Sequence, residues 1–263
     1  MKRLSSLFQR IRIVLVEPSH PGNIGGTARA MKTMALHQLV LVNPARFPDP
    51  QADWRAAGAM DVLDGAQVVN DVSAAVAGCH YVVGTSTRAR AIPWPAMLAK
   101  DLGKVLTEQA EDAEVAILFG REDSGLTNEE LQRCHTHLQI PSSKEYGSLN
   151  LAMAVQVVCY EIFQYLEKTN IQVSAEGKQN QSEIEGLGNR IWDKEPASGQ
   201  QIDGLMAHLE SLMVQSEFIG ADKPGQTVAR LRRLFMRQQL DETEVQILRG
   251  LLKAIQSKMS EDC

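Results

Sequence analysis

Aromatic residues make up only 5% of this 263-residue chain, and cysteine is scarcer still, with four at Cys79, Cys134, Cys159 and Cys263. None of these thiols stands in a CxxC pair or at metal-ligand spacing. That excludes a zinc ribbon and a disulfide framework; reduced thiols, a cytoplasmic location and no metal site are expected. Long hydrophobic runs are missing too. The basic start MKRLSSLFQR is followed only by IVLV before Glu17, which is too short for a signal peptide or a membrane span. Positive charge is not in excess: 27 Lys and Arg against 32 Asp and Glu leave a net charge of −5. A molecule coated in basic residues is thereby excluded, but a local basic face is not. No internal repeat is evident.

What is present is ordinary globular material, 44% hydrophobic and 22% charged. Runs at Ile11–Val16, Leu39–Val42, Gln67–Val69, Tyr81–Val83, Val115–Phe119 and Leu138–Ile140 read as buried strands. Helical patterns lie between them, at about 24–36, 52–60, 71–77, 101–110 and 127–134. This alternation predicts an α/β domain with a mostly parallel sheet. A further helix is expected to start at Gly147 or Ser148, with Leu151, Val155, Val158, Ile162 and Leu166 on one apolar stripe broad enough to suggest burial on two sides, by the sheet and by another subunit. Residues 169–200 are rich in Gln, Asn, Glu, Gly and Ser and read as a linker. Helical patterns return at about 201–217, 224–238 and 241–258, with Pro224 where a first-turn proline is tolerated. The expected organisation is therefore an α/β domain over 1–168, a linker over 169–200 and a small α-helical domain over 201–263.

Three loops follow strands and carry chemistry-bearing residues. The first holds Gly22, Gly25 and Gly26, but these do not form the GxGxxG dinucleotide fingerprint. Asn23 and Arg29 lie six residues apart, roughly 120° out of alignment on a helix, and could still converge on one site if Asn23 lies in the loop before that helix. The second region combines Gly84-Thr-Ser-Thr-Arg88 with Phe119-Gly-Arg-Glu-Asp-Ser-Gly-Leu126, both at strand ends where open α/β sheets bind ligands. The third is IPSSKEYGSLN, 140–150, which meets a hydrophobic helix with small and polar residues. Taken singly, a turn, a charged loop and an N-cap explain all three. His20, His135 and His137 are assigned no catalytic role.

In this order the loops are specific. PGNIGGTARAMKTM, LFGREDSGL and IPSSKEYGSLNLAMAVQVVCYE resemble the three motifs of the SpoU-type branch of the SPOUT RNA methyltransferases, over about residues 10–168. The tail, with HLESLMVQSEFIG, KPGQTVARLRRLFMR and VQILRGLL, resembles the C-terminal domain of the bacterial tRNA ribose methyltransferases that act at anticodon-loop nucleotide 32.

The resemblance implies a SPOUT fold with a C-terminal trefoil knot, about 138–168, that holds S-adenosyl-L-methionine. Cofactor contacts then fall on Thr85, Ser86, Thr87, Gly120, Ile140, Gly147, Ser148 and Leu149. The family's key catalytic residue corresponds to Arg29, and Asn23, Glu122, Ser148 and Asn150 match its polar positions. An ordinary guanidinium stays protonated, so Arg29 suits a phosphate clamp and oxyanion stabiliser better than a base. The implied partners are tRNA and a second copy of the chain, paired through the knot region. Two alternatives stand beside this reading: ribose methylation of ribosomal RNA, and a non-catalytic RNA-binding SPOUT protein. A nucleotide-dependent dehydrogenase lacks both its glycine fingerprint and its acidic ribose-binding residue.

Overall fold

The computed structural model describes residues 7–86, 94–109, 112–143, 145–176, 194–220 and 226–261. Thr87 and Pro224 lie outside them. The strands are β1 (Ile11–Val16), β2 (Gln38–Val42), β3 (Gln67–Val69), β4 (Tyr81–Thr85), β5 (Ala96–Leu98), β6 (Val115–Phe119) and β7 (Thr136–Gln139). They form one sheet in the order β3-β2-β1-β6-β4-β7-β5, and every pairing is parallel. Parallel neighbours need crossovers, which the interleaved helices supply. These are α1 (Pro21–Thr33), α2 (Pro50–Ala56), α3 (Met60–Asp64), α4 (Val72–Val76), α5 (Leu102–Thr107) and α6 (Asn128–Leu131). The long α7 (Leu151–Glu176) follows β7.

Side chains alternate across the sheet. Ile11, Ile13, Leu15, Ile117 and Phe119 join one core with α1, α2, α3, α5 and α7, while Val14, Val16, Val40 and Leu118 face α4 and Leu131. The apolar stripe of α7 is spent inside the chain, because Val155, Val158, Ile162 and Leu166 are fully buried in the first core. Burying each such aliphatic side chain contributes about 1.5–3 kcal/mol. Helices α1 and α2 touch at Gly25, where a Cβ would overlap the Ala52 carbonyl; only glycine permits this approach.

Several sequence expectations shift. The segment 52–60 divides into α2 and α3 at Ala57, whose φ is +51°. Helix α1 starts earlier than position 24, with Pro21 in its first turn and the His20 side chain accepting from the Gly22 N–H. Strand β7 starts at Thr136, since its first two residues are buried but polar and give no apolar signal. Strand β5 was not expected; it is a three-residue, largely exposed edge without β-branched residues. The third-motif helix begins at Leu151, not at Gly147 or Ser148, because Asn150 supplies the cap. It also runs on to Glu176, into the stretch whose composition suggests a linker.

Helices α8 (Gly199–Gln215), α9 (Thr227–Gln238) and α10 (Glu242–Glu261) enclose a separate small core of Ile202, Leu205, Met206, Met236 and Val245. Ser198 and Gln201 form a capping box at the start of α8. This helical unit is fastened to the sheet domain. The Gly199 N–H donates to Cys79 O at 3.0 Å, and Trp94 packs on the small core while its indole N–H donates to Cys134 O.

Candidate active site

The carboxyl ends of β4, β6 and β7 open into a cavity of about 440 Å³. Open parallel sheets hold ligands at this edge, and the volume suits a small cofactor. Of the residues expected at the cofactor, Thr85, Ser86, Gly120, Ile140, Gly147, Ser148 and Leu149 all line this cavity, and Thr87 lies outside the described residues. Phe119 and Leu126, the two ends of the second loop region, line it as well, and so do Leu138, Leu151 and Ala154, which the sequence reading did not assign to the cofactor. Leu138 lies near the end of its strand, so the strand-end rule could have found it.

Each wall is built locally. The Thr85 hydroxyl donates to Leu118 O at 3.0 Å and the Ser86 N–H to Leu138 O at 2.9 Å, which ties β4 to both neighbours. After β6 the chain folds back in a turn closed by reciprocal Arg121–Gly125 backbone hydrogen bonds. Gly125 takes a φ of +73°, and a Cβ on Gly120 would overlap the Gly125–Leu126 peptide. Both glycines are therefore required by backbone geometry. Beyond Ile140, the Ser142 hydroxyl donates to Gly147 O, and the Gly147–Leu149 stretch stays non-helical against the cavity.

A polar chain crosses the rim. Glu122, itself a lining residue, accepts from the Asn23 side-chain amide at 3.0 Å and from the Ser19 and His20 N–H groups. The Asn23 carbonyl oxygen accepts from the Asn150 amide at 2.9 Å, and the other end of Asn150 accepts from Ala152 N–H, capping α7. Burial raises the Glu122 pKa, but the Asn23 and backbone donors outweigh it and leave the carboxyl lowered. Glu122 is thus a carboxylate that holds Asn23 in one orientation.

Arg29 does not join this chain. Asn23 sits inside α1 rather than before it, so the condition for convergence is not met, and the two side chains leave the helix about 120° apart. Arg29 is exposed, does not line the cavity, and has no hydrogen bond or ion pair among the described residues. Arg121, by contrast, is fully engaged, with ion pairs to Glu17 at 2.7 Å and Glu130 at 3.0 Å. Among the described residues the uncompensated charge in the cavity wall is consequently acidic, at Glu122 and Asp123.

The histidines have structural places. His20 caps α1. His135 is buried, accepts from Val82 N–H, and burial pushes its pKa down to about 4, so the ring is neutral. His137 stacks on Trp94 at 5.5 Å. Cys79, Cys134 and Cys159 are buried free thiols, and desolvation raises the Cys79 pKa to about 11, far from a reactive thiolate. Among the described residues no group of three His, Cys, Asp or Glu could hold a metal, and no helix is long and apolar enough to cross a membrane.

A parallel α/β sheet with a glycine-lined ligand cavity at its carboxyl edge, a polar chain at the rim and an appended helical unit defines the class of protein. Residues 10–160 match the model of the SpoU rRNA methylase family, and residues 200–263 match the C-terminal domain of the tRNA methyltransferase TrmJ. The chain belongs to the SpoU methylase family. It is similar to the tRNA (cytidine/uridine/adenosine-2'-O-)-methyltransferase TrmJ of Pseudomonas aeruginosa, 45% identical over 95% of each chain. The tRNA (cytidine/uridine-2'-O-)-methyltransferase TrmJ of Photorhabdus laumondii is 47% identical over 95% of this chain and 98% of its own. Among solved structures, TrmJ from Z. mobilis ZM4 superposes with a TM-score of 0.77 at 30% identity, over 93% of this chain and 98% of that one.

Proposed function

We propose that this protein is an S-adenosyl-L-methionine-dependent tRNA methyltransferase that modifies the ribose 2'-hydroxyl of anticodon-loop nucleotide 32, a cytidine or uridine. One observation carries the reading: Glu122 belongs both to the cofactor-sized cavity and to the hydrogen-bonded chain through Asn23 to Asn150. Likeness to TrmJ relatives over nearly the full length of each, including the helical tail, supports tRNA as the substrate.

The cavity suits the cofactor. S-adenosyl-L-methionine supplies a methyl group already activated on a sulfonium, so no metal is required. Leu126, Leu138, Ile140 and Leu149 offer apolar walls for an adenine, and Ser86, Ser142 and Ser143 offer hydroxyls. Glu122 and Asp123 suit a ligand with net positive charge. In the same reading the chain over about 138–168 threads as the trefoil knot around that ligand.

The chain's own residues then provide position and charge. Glu122 orients Asn23, and Asn23 with Asn150 presents amides at the rim. Ser148 lies between cavity and rim, with its side chain exposed. Arg29, unpaired among the described residues, is available to clamp an RNA phosphate and to stabilise charge on the attacking oxygen. Within 226–253, across α9, α10 and the turn between them, Arg230, Arg232, Arg233, Arg237, Arg249 and Lys253 outnumber Asp241, Glu242 and Glu244, with Arg232 taken up by Asp203. This local excess of positive charge in a net acidic chain suits the RNA backbone.

Methylation of bulk tRNA and of ribosomal RNA with labelled cofactor, followed by mapping of the modified nucleotide, tests the proposal. Label at nucleotide 32 of tRNA is the expected result. Label on ribosomal RNA alone, or none on either, overturns it.

A further inference from the structure

Trp54 stands 74% exposed on α2, a helix whose Ala52 and Ala56 are buried against its neighbours. A single exposed apolar side chain is unremarkable by itself. Its surroundings are more specific. The Arg55 guanidinium carbon lies 5.1 Å from the centre of the Trp54 ring, within cation–π range. The Arg55 stem in turn reaches the start of α1, with Cγ 3.6 Å from where a Gly22 Cβ would be. The residue after Gly22 is Asn23, the central member of the polar chain at the rim. Helix α2 is also held firmly, by the close approach at Gly25 and by the Asp49 cap on the Gln51 N–H at 2.9 Å.

A cation-bearing indole therefore projects into solvent from a fixed element whose next residue, Arg55, packs on the start of α1, one residue before Asn23. We infer that Trp54 and Arg55 form a stacking platform for an unpaired base of the substrate RNA, next to the nucleotide whose ribose is methylated. The inference rests on the tRNA reading above and names a contact within it. At 74% exposure the indole keeps surface for a base beside Arg55, and every base has a face that can stack. An anticodon loop offers unpaired bases, whereas an RNA duplex keeps its bases stacked and its major groove closed to side chains.

The experiment uses full-length Trp54→Ala, Trp54→Phe and Arg55→Ala variants. An anticodon stem-loop RNA serves as the binding probe, and whole tRNA as the methylation substrate. Trp54→Ala should weaken RNA binding and raise KM roughly 5- to 100-fold, the scale of losing one base–aromatic stack. The loss should lie in KM rather than kcat, and S-adenosylhomocysteine affinity should not follow it. Trp54→Phe should recover most of the loss, because a phenyl ring still stacks. Arg55→Ala should weaken RNA binding less than Trp54→Ala does. Trp54→Ala with wild-type RNA affinity and KM overturns the platform, as does Trp54→Phe as impaired as Trp54→Ala. If the wild type transfers no methyl to tRNA yet binds the stem-loop in a Trp54-dependent way, the platform stands and the proposed reaction falls.

Discussion

At the scale of single residues, charges that are already paired differ sharply from one that is not. Arg121 is neutralised by two carboxylates and shapes a cavity wall, while Arg29, between one and two turns beyond Asn23, is exposed and has no partner among the described residues. If Arg29 meets a phosphate and the developing oxyanion, Arg29→Ala should lower single-turnover methylation by ~10²-fold or more. Cofactor affinity should hold, because Arg29 does not line the cavity. Arg29→Lys should remain impaired, since an ammonium cannot reproduce the planar two-pronged donor. A solvated helix arginine predicts near-normal turnover in both variants, and that result at saturating tRNA would remove the assignment.

At the scale of elements, the decisive feature is the joint between the sheet and the helical unit. Asp203 of α8 accepts from Ser73 of α4 at 3.0 Å, from Arg133 between α6 and β7, and from Arg232 of α9 at 2.7 Å. Burial raises the Asp203 carboxyl pKa, but the Arg232 bond and both arginine charges outweigh it, so its net shift is downward. A carboxyl depressed by folding stabilises the native state above its unfolded pKa, and that contribution fades as pH falls through the lower folded value. Asp203→Ala should therefore cost about 2 kcal/mol at neutral pH, discounted for partial exposure. The deficit should shrink as the solution is acidified toward pH 3. Urea titrations of both proteins at pH 7 and pH 3.5 check this, and an equal deficit at the two values would contradict the latch. Ser73, Arg133, Asp203 and Arg232 are so far apart in sequence that no local pattern could have grouped them.

At the scale of the whole molecule, α7 presents a second face. Its core-facing residues are covered within the chain, so the breadth of that stripe does not itself call for a partner. Met153 and Tyr160 are nonetheless 63% and 45% exposed. Tyr160 also borders a shallow groove with Met34, Phe163 and Lys168. A second copy seated along α7 and the end of α1 would cover this surface, and an obligate interface is apolar at its centre. The protein should sediment as a dimer at micromolar concentration, and Tyr160→Asp should shift it toward monomer while leaving the helical content unchanged. A monomeric wild type would exclude the arrangement.

Local chemistry determined a good deal of this protein without any tertiary information. Strand β6 begins and ends where its apolar run does, because a parallel strand buried on both faces has to be continuously hydrophobic; β1 and the exposed edge strand β3 also keep the bounds their sequence suggested. The strand-end loops with their glycines, and the charge pattern of the tail, are written in consecutive residues and could be read directly. The tertiary structure alone decided which distant groups share an environment. It placed Asn23 inside a helix, made Asn150 rather than Ser148 the cap of α7, and bonded Glu122 to both the first loop and the Asn23 amide. The three-residue edge strand β5 likewise had no β-branched residue to mark it as a strand. The physical reason is one of range: burial periodicity and turn preference act over a few residues, whereas a hydrogen bond spanning 99 or 127 positions exists only after the sheet has brought its loops together.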